Sequence, residues 1–247
     1  MARVDVNILI YGCTCPFVLQ DGMPILLSGL DQRKVYDLLC VLEDRVKGAF
    51  FLTSTVLIKS DRTVIVDPGP SISRRCLLAR LEDYGLNPEM VDVVVNTHLH
   101  PDHIENNPLF RGKELIVHRR ELSFTVDWAK RNEWPEYIDA YVNIMRVNEV
   151  EGEEEIARGV WVMETPGHTP GSISVVVETS EGRIVITGDI VSIACEKAIL
   201  AKVPRPDLVS RVYDYDAAVE SIQRIIGLKP AVIIPGHDKP LKLNLKG

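Results

Sequence analysis

Asn96-Thr97-His98-Leu99-His100-Pro101-Asp102-His103 follows directly on the apolar run Val91 to Val95 and puts three imidazoles and one carboxylate within six positions. In extended backbone, residues two apart point the same way, so His98 and His100 can converge on one point. Pro101 keeps His100 out of the α region and preserves that extension. Asp102 and His103 are adjacent, so they must turn away from the first pair and offer a second cluster a few Å off. Imidazole and carboxylate are the ligands expected of zinc, or of iron or manganese in a similar frame. The alternative, a polar surface loop that happens to be rich in histidine, fits poorly behind a buried strand. The spacing points to two metal ions.

Outward from this stretch, apolar runs rich in Val and Ile read as strands at Thr55 to Ile58, Thr63 to Val66, Leu115 to Val117, Val160 to Met163, Ile173 to Val177, Arg183 to Ile186 and Ala231 to Ile234. Between them, helical spacing runs from Ile72 to Tyr84 with Gly85 as a C-cap. A later helix carries Val219, Ile222, Ile225 and Ile226, with Asp216 as its cap and Gly227 just past its end. Val35 to Val46 also has helical spacing. The acidic Glu149 to Glu155 stretch reads as an exposed turn. Two strand pairs look alike. Arg62 to Asp67 and Arg183 to Asp189 each end on a carboxylate, while Val93 to His98 and Val232 to His237 each end on a histidine. An internal duplication and the ordinary repetition of strand-loop units both account for this.

Three more segments supply candidate ligands. Thr165-Pro-Gly-His168-Thr-Pro-Gly171 holds a histidine in a turn stiffened by Gly and Pro on both sides. Thr187-Gly-Asp189 and Pro235-Gly-His237-Asp238 end strands on a carboxylate and a histidine. With the first cluster, the candidates are His98, His100, Asp102, His103, His168, Asp189 and His237. His118 has no place among them and reads as structural or surface.

The set His98-x-His100-x-Asp102-His103, His168, Asp189 and His237 resembles the metallo-β-lactamase superfamily of metallohydrolases, from the Val64-Ile-Val-Asp67-Pro-Gly69 strand through His237. The resemblance implies an α/β fold, an αββα four-layer sandwich of two mixed sheets between outer helices, built from two pseudo-symmetric halves with the site at their shared edge. It implies one metal on His98, His100 and His168, a second on Asp102, His103 and His237, and Asp189 bridging. Asp67 resembles the family's buried carboxylate beside the site, although capping the Pro68-Gly69 turn would explain it as well.

The chemistry implied is hydrolysis by a dinuclear centre, most simply zinc, in which a bridging hydroxide attacks the carbonyl of an ester, lactone or thioester. Asp102 is the expected catalytic residue, orienting the hydroxide and passing its proton to the leaving group. A phosphodiesterase or ribonuclease with the same centre, an iron-dependent redox enzyme and a non-catalytic metal binder are the alternatives. Asp189, where some true β-lactamases have Cys, disfavours lactam hydrolysis. The chain lacks the flavodoxin-like domain of flavin-dependent relatives and the glycine- and cysteine-rich stretch of glyoxalase-II-like thioesterases. Acyl-homoserine lactonases are nearer in length and in the His168 and His237 regions, but Ser192 stands where they carry a tyrosine. Tyr213 or Tyr215 could replace it.

Two segments are left for substrate recognition. Trp128 to Met145, with Trp128, Trp134, Tyr137 and Tyr141, reads as helix core or as a substrate wall. Ile190 to Arg211, with Lys197, Lys202, Arg205 and Arg211, reads as a solvated face or as a receptor for an anion.

Composition sets the outer limits. The 247 residues carry 35 acidic and 28 basic side chains, a formal charge of −7 that argues against a nucleic-acid partner held by a basic face. At 46% hydrophobic and 26% charged, the chain is that of an ordinary globular protein. No apolar run reaches the roughly 18 residues of a membrane span, and the start is a poor secretory signal. A cytoplasmic, single-domain protein over residues 1–247 is expected, acting on a small-molecule substrate with no membrane partner. Homo-oligomerisation is left open. Five cysteines fit reduced thiols, and Cys13-Thr-Cys15 reads as packing.

Overall fold

Residues 4–20, 23–26, 46–191 and 212–243 are described by a computed structural model. Residues 35–45 of the expected Val35 to Val46 helix lie outside them, as do Ser192, Lys197, Lys202, Arg205 and Arg211. Val46 itself opens a strand.

The strands form two mixed sheets. In the first, β1 (Asp5–Ile10), β5 (Thr55–Lys59), β6 (Thr63–Val66), β7 (Val93–Val95), β8 (Glu114–His118) and β9 (Arg146–Val150) lie side by side in that order. The second runs β10 (Glu154–Ala157), β11 (Val160–Glu164), β12 (Ile173–Thr179), β13 (Gly182–Gly188), β14 (Val232–Pro235) and β15 (Leu241–Lys242). A smaller sheet has β2 (Cys13–Gln20) between β3 (Met23–Leu26) and β4 (Val46–Leu52).

Period-two alternation explains the layering, because the central strands are apolar on both faces. Val56, Ile58, Val64, Val66, Val93 and Val95 meet Val160, Val162, Val175, Val177 and Ile186 between the two large sheets. The alternate residues Leu57, Ile65, Val94 and Leu115 face outward onto Leu77 and Leu81 of α1 (Arg74–Asp83) and onto Phe110, Ala129 and Tyr137. On the far side, Val176, Val185 and Ile233 pack against Ala218, Ile222 and Ile225 of α5 (Tyr215–Gly227). Helix, sheet, sheet and helix therefore stack as the expected αββα sandwich.

The strand pairs that look alike in sequence also pair alike in space. β6 lies parallel to β7, and β13 lies parallel to β14, with α1 and α5 as the respective crossovers. Each carboxylate-ending strand thus sits beside a histidine-ending strand, and their ends approach across the top of the sandwich.

Several local readings are corrected. Asp214, not Asp216, caps α5, accepting from the Ala217 amide at 3.0 Å; Asp216 lies in the first turn and Gly227 is the last helical residue. The strand before the histidines begins at Val93, since Pro88–Met90 forms a 3₁₀ turn capped by Asn87. Glu149 belongs to β9, and Glu154 and Glu155 to β10, so only the middle of that acidic stretch turns. Trp128 to Met145 spans the end of α3 (Arg119–Arg131) and α4 (Glu136–Tyr141), where Trp128, Trp134 and Tyr141 ring the buried Tyr137, as helix core does. No helix among the described residues is long and apolar enough to cross a membrane.

Candidate metal centre

All seven candidate residues meet at one edge of the sandwich. β7 delivers His98 and His100, and the short helix α2 (Pro101–Ile104) that follows carries Asp102 and His103. His100 itself stays extended (φ −72°, ψ 150°), as a residue before proline should. The β11–β12 connection presents His168, β13 ends one residue before Asp189, and β14 ends two before His237. The last approach depends on Gly236, because a Cβ there would lie 2.2 Å from Asp189 Oδ1.

Among the described residues three overlapping triads result, with donor atoms within 4.8 Å of one another in each: His98, His100 and His168; Asp102, His103 and His237; and His98, His103 and Asp189, which joins the first two. In the first, His100 Nδ1 stands 3.0 Å from both His98 Nε2 and His168 Nε2. In the second, His237 Nε2 lies 3.0 Å from Asp102 Oδ2. Asp189 reaches both. Its Oδ2 is 3.5 Å from His168 Nε2, 3.9 Å from His98 Nε2 and 3.3 Å from His237 Nε2, while Oδ1 is 3.2 Å from His103 Nε2.

These donors fit cations. A tetrahedral ion with bonds of about 2.05 Å holds its nitrogen ligands roughly 3.3 Å apart, close to the 3.0 Å separations of the first triad. His103 Nε2 and Asp189 Oδ1 are buried without a hydrogen-bond partner of good geometry, which a bound cation would supply. In the metal-free chain protons partly fill the role. Burial opposes charge on His237, yet Asp189 and Asp102 push it up to about 10, and Asp189 and Asp67 likewise hold His103 well above the usual histidine range against burial. Asp189, despite burial, is kept well below the carboxylate range by His237 and His103. Burial and the neighbouring imidazoles depress His98, and His100 falls to about 4 through burial and His168. His98 and His100 are thus held toward the neutral form and His103 and His237 toward the charged one, with the Asp189 anion between them.

Supporting side chains fix the tautomers. Asp67, in the left-handed region (φ 48°), accepts from Thr97 N at 2.8 Å, Thr97 Oγ1 at 2.6 Å and His103 Nδ1 at 2.9 Å. That leaves His103 Nε2 for a metal, the arrangement typical of histidine ligands backed by a carboxylate. Of its two readings, support of the ligand loop is the one its hydrogen bonds match. His237 Nδ1 donates to Leu52 O at 3.1 Å, and Thr53 Oγ1 donates to the Asp102 carbonyl at 2.6 Å. His118 is structural: its Nδ1 caps α3 through the Arg120 amide and its Nε2 meets Glu164 at 2.8 Å.

Sequence reasoning missed Glu121, and it read Tyr137 only as helix core or substrate wall. Glu121, on the first turn of α3, is buried, accepts from Leu99 N at 2.9 Å, and is pushed up by burial against the pull of its donors. Tyr137 Oη donates to the Leu99 carbonyl at 2.8 Å. Both grip the residue between two candidate ligands, and only the tertiary fold reveals it.

Comparison with known proteins agrees with this geometry. A family model described as the metallo-beta-lactamase superfamily matches residues 48–237. A metallo-hydrolase of Methanocaldococcus jannaschii is 32% identical over 175 residues, 71% of this chain and 70% of its own. An N-acyl homoserine lactonase of a Bacillus species is 28% identical over 167 residues, 64% of this chain and 60% of its own. Among solved structures, a Thermotoga maritima protein described as a metallo-beta-lactamase superposes with a TM-score of 0.70 at 23% identity, over 98% of this chain and 100% of its own. An N-acyl homoserine lactone hydrolase, with the product N-hexanoyl-L-homoserine bound at its catalytic metal center, superposes with a TM-score of 0.63 at 19% identity, over 96% of this chain and 93% of its own.

Proposed function

Since the chain belongs to the metallo-beta-lactamase superfamily, we propose that it is a hydrolase holding two divalent ions, zinc by ligand type, and that it opens the carbonyl bond of a lactone, ester or thioester. The observation that carries this is the pair of triads facing each other across Asp189. The names of the lactonase relatives support the carbonyl class. A small-molecule substrate, a cytoplasmic location and one domain over the whole chain belong to the same reading.

When bound, two such ions lower the pKa of a water between them and polarise a substrate oxygen. The protein's own residues do the rest. His98, His100 and His168 would hold one ion and Asp102, His103 and His237 the other, with Asp189 in reach of both. Asp102 is the least buried of the carboxylates named here, 27% exposed against 15% for Asp189 and 1% for Asp67. Burial would raise it, but the His237 hydrogen bond and the charge on His103 lower it, so it stays ionised. Its carboxylate can therefore take a proton from the attacking water and return it to the leaving oxygen or sulfur. Asp67 and Leu52 O fix the far sides of His103 and His237.

Metal analysis of purified protein, coupled to a panel of lactones, thioesters, esters, phosphodiesters and lactams, tests cofactor and reaction together. About two equivalents of zinc and turnover of a carbonyl substrate are expected. Turnover confined to phosphodiesters, or none after zinc reconstitution, would sink the proposal.

Tyr213 is the rim residue to probe. It is 66% exposed, its N–H donates to His168 O at 3.3 Å, and its ring meets Phe124 edge-on at 5.3 Å. Tyr213→Ala is expected to raise KM by roughly 2- to 10-fold, the worth of one aromatic contact, with the melting temperature nearly unchanged. Unaltered kinetics would return it to the ordinary surface.

A further inference from the structure

Leu99 lies between His98 and His100, and Thr169 directly follows His168. One side chain touches both. Glu121 Oε1 accepts from Leu99 N at 2.9 Å and Oε2 from Thr169 Oγ1 at 2.5 Å, with the Gly171 amide as a further donor. The neighbouring arginines Arg119 and Arg120 turn to solvent, whereas Glu121 is 1% exposed. A carboxylate so placed costs several kcal/mol of desolvation unless donors satisfy it, and every donor here comes from the two loops that present the first triad. Gly171 makes the approach feasible: a Cβ there would lie 2.1 Å from the Glu121 backbone nitrogen, so any side chain would drive the His168 turn off the helix. Tyr137 holds the Leu99 carbonyl from the other end of the same residue, leaving that peptide little room to rotate. The other triad is supported independently, by Asp67, Thr53 and Leu52 O.

We propose that Glu121 is a positioning residue that clamps the His98–His100 segment to the His168 turn and so sets metal affinity at that triad alone. This rests on the two-ion reading of the site. Without the clamp, the His168 turn and the His98–His100 segment can drift apart, and three ligands that must converge within a few tenths of an ångström no longer do.

The test measures zinc affinity by chelator competition in wild type, Glu121→Ala and Glu121→Gln, with the ring nitrogens of the histidines followed by NMR in the same samples. Glu121→Ala should weaken one of two zinc ions by roughly 10- to 100-fold, keep the other, and shift the rings of His98, His100 and His168 while leaving those of His103 and His237. Glu121→Gln keeps an acceptor for Leu99 N and can donate to Thr169 Oγ1, but its one carbonyl must also serve the Gly171 amide, so it should restore part of the affinity lost in Glu121→Ala. Equal weakening of both ions would mark a merely structural role and overturn the proposal. So would three first-triad rings that do not respond to Glu121→Ala, whatever the metal count. Fewer than two zinc ions in the wild type would overturn the two-ion reading instead, and the ring nitrogens would still decide the role of Glu121.

Discussion

Asp189→Asn is expected to lower turnover of any responsive substrate by on the order of a thousandfold, about 4 kcal/mol at 1.36 kcal/mol per factor of ten, and to leave the protein with about one zinc in place of two. Among the described residues, Asp189 is the one carboxylate that reaches donor atoms of both triads. Asparagine matches its size but carries no charge, and one end of its amide is a pair of N–H donors. Whichever way the amide turns, those hydrogens face imidazole nitrogens that need to meet a cation, on the His98–His168–His237 side or on the His103 side. A bridge between two dications becomes a contact with one at best. The loss should fall on kcat more than on KM, because the charge is needed where the nucleophile is generated and not where the rest of the substrate binds. Rate assays with matched zinc analysis check this. Full metal content with wild-type rates would show that Asp189 does not bridge.

The candidate site was legible because its ligand types are scarce in this chain and stand at strand ends. Five of the six histidines and two aspartates follow Val- and Ile-rich runs that must be buried, so they stand out as candidates; spacing marks the His98–His103 cluster, and the family resemblance joins His168, Asp189 and His237 to it. What supports them was not legible. Glu121 follows Arg119-Arg120 at a helix start, where an acidic residue is ordinary, and its meaning comes from Leu99 and Thr169 arriving from 22 and 48 positions away. Asp67 was undecided between turn cap and support until Thr97 and His103 were seen to share its oxygens. β9 and β10, two of the strands absent from the sequence reading, share a cause. β9 has the burial pattern of a sheet edge and reads Arg-Val-Asn-Glu-Val, and β10 opens with two exposed glutamates, so neither shows the apolar run that marked the central strands. Asp214 and Asp216 flank Tyr215 and are equally good caps by type. The extended backbone of Asp214 (φ −139°, ψ 113°) decides between them.

Asp67→Asn is the second large expected effect, and it acts through hydrogens without changing shape. Asparagine tolerates the left-handed backbone of this position (φ 48°), so the fold should persist. In the native site Asp67 only accepts. Thr97 Oγ1 donates to it, and so is left to accept from His98 Nδ1 at 3.2 Å, while His103 Nδ1 donates to Oδ2. His98 therefore keeps Nε2 bare for metal, and His103, charged in the metal-free chain, has its Nε2 proton to give up when a metal binds, one in each triad. The asparagine carbonyl must stay with the Thr97 amide, because a backbone N–H cannot change its role, and this puts the NH₂ group against the other two donors. His103 escapes the clash by giving up its Nδ1 proton and keeping the one on Nε2, and Thr97 by turning its hydroxyl toward His98 Nδ1, which sends that ring's proton to Nε2 as well. Each Nε2 then carries a hydrogen where a metal should bind. Zinc affinity should accordingly fall by roughly 10- to 100-fold at both sites, in contrast to the single site weakened by Glu121→Ala. Ring-nitrogen spectra of the metal-free variant should show the His98 proton moved to Nε2 and His103 without its Nδ1 proton. If the amide turned over instead, the buried Thr97 N–H would lose its acceptor, lowering stability by about 1–3 kcal/mol with metal affinity preserved. Chelator competition and thermal melting on the same preparation separate the two outcomes, and the second would show that Asp67 holds the loop without setting the tautomers.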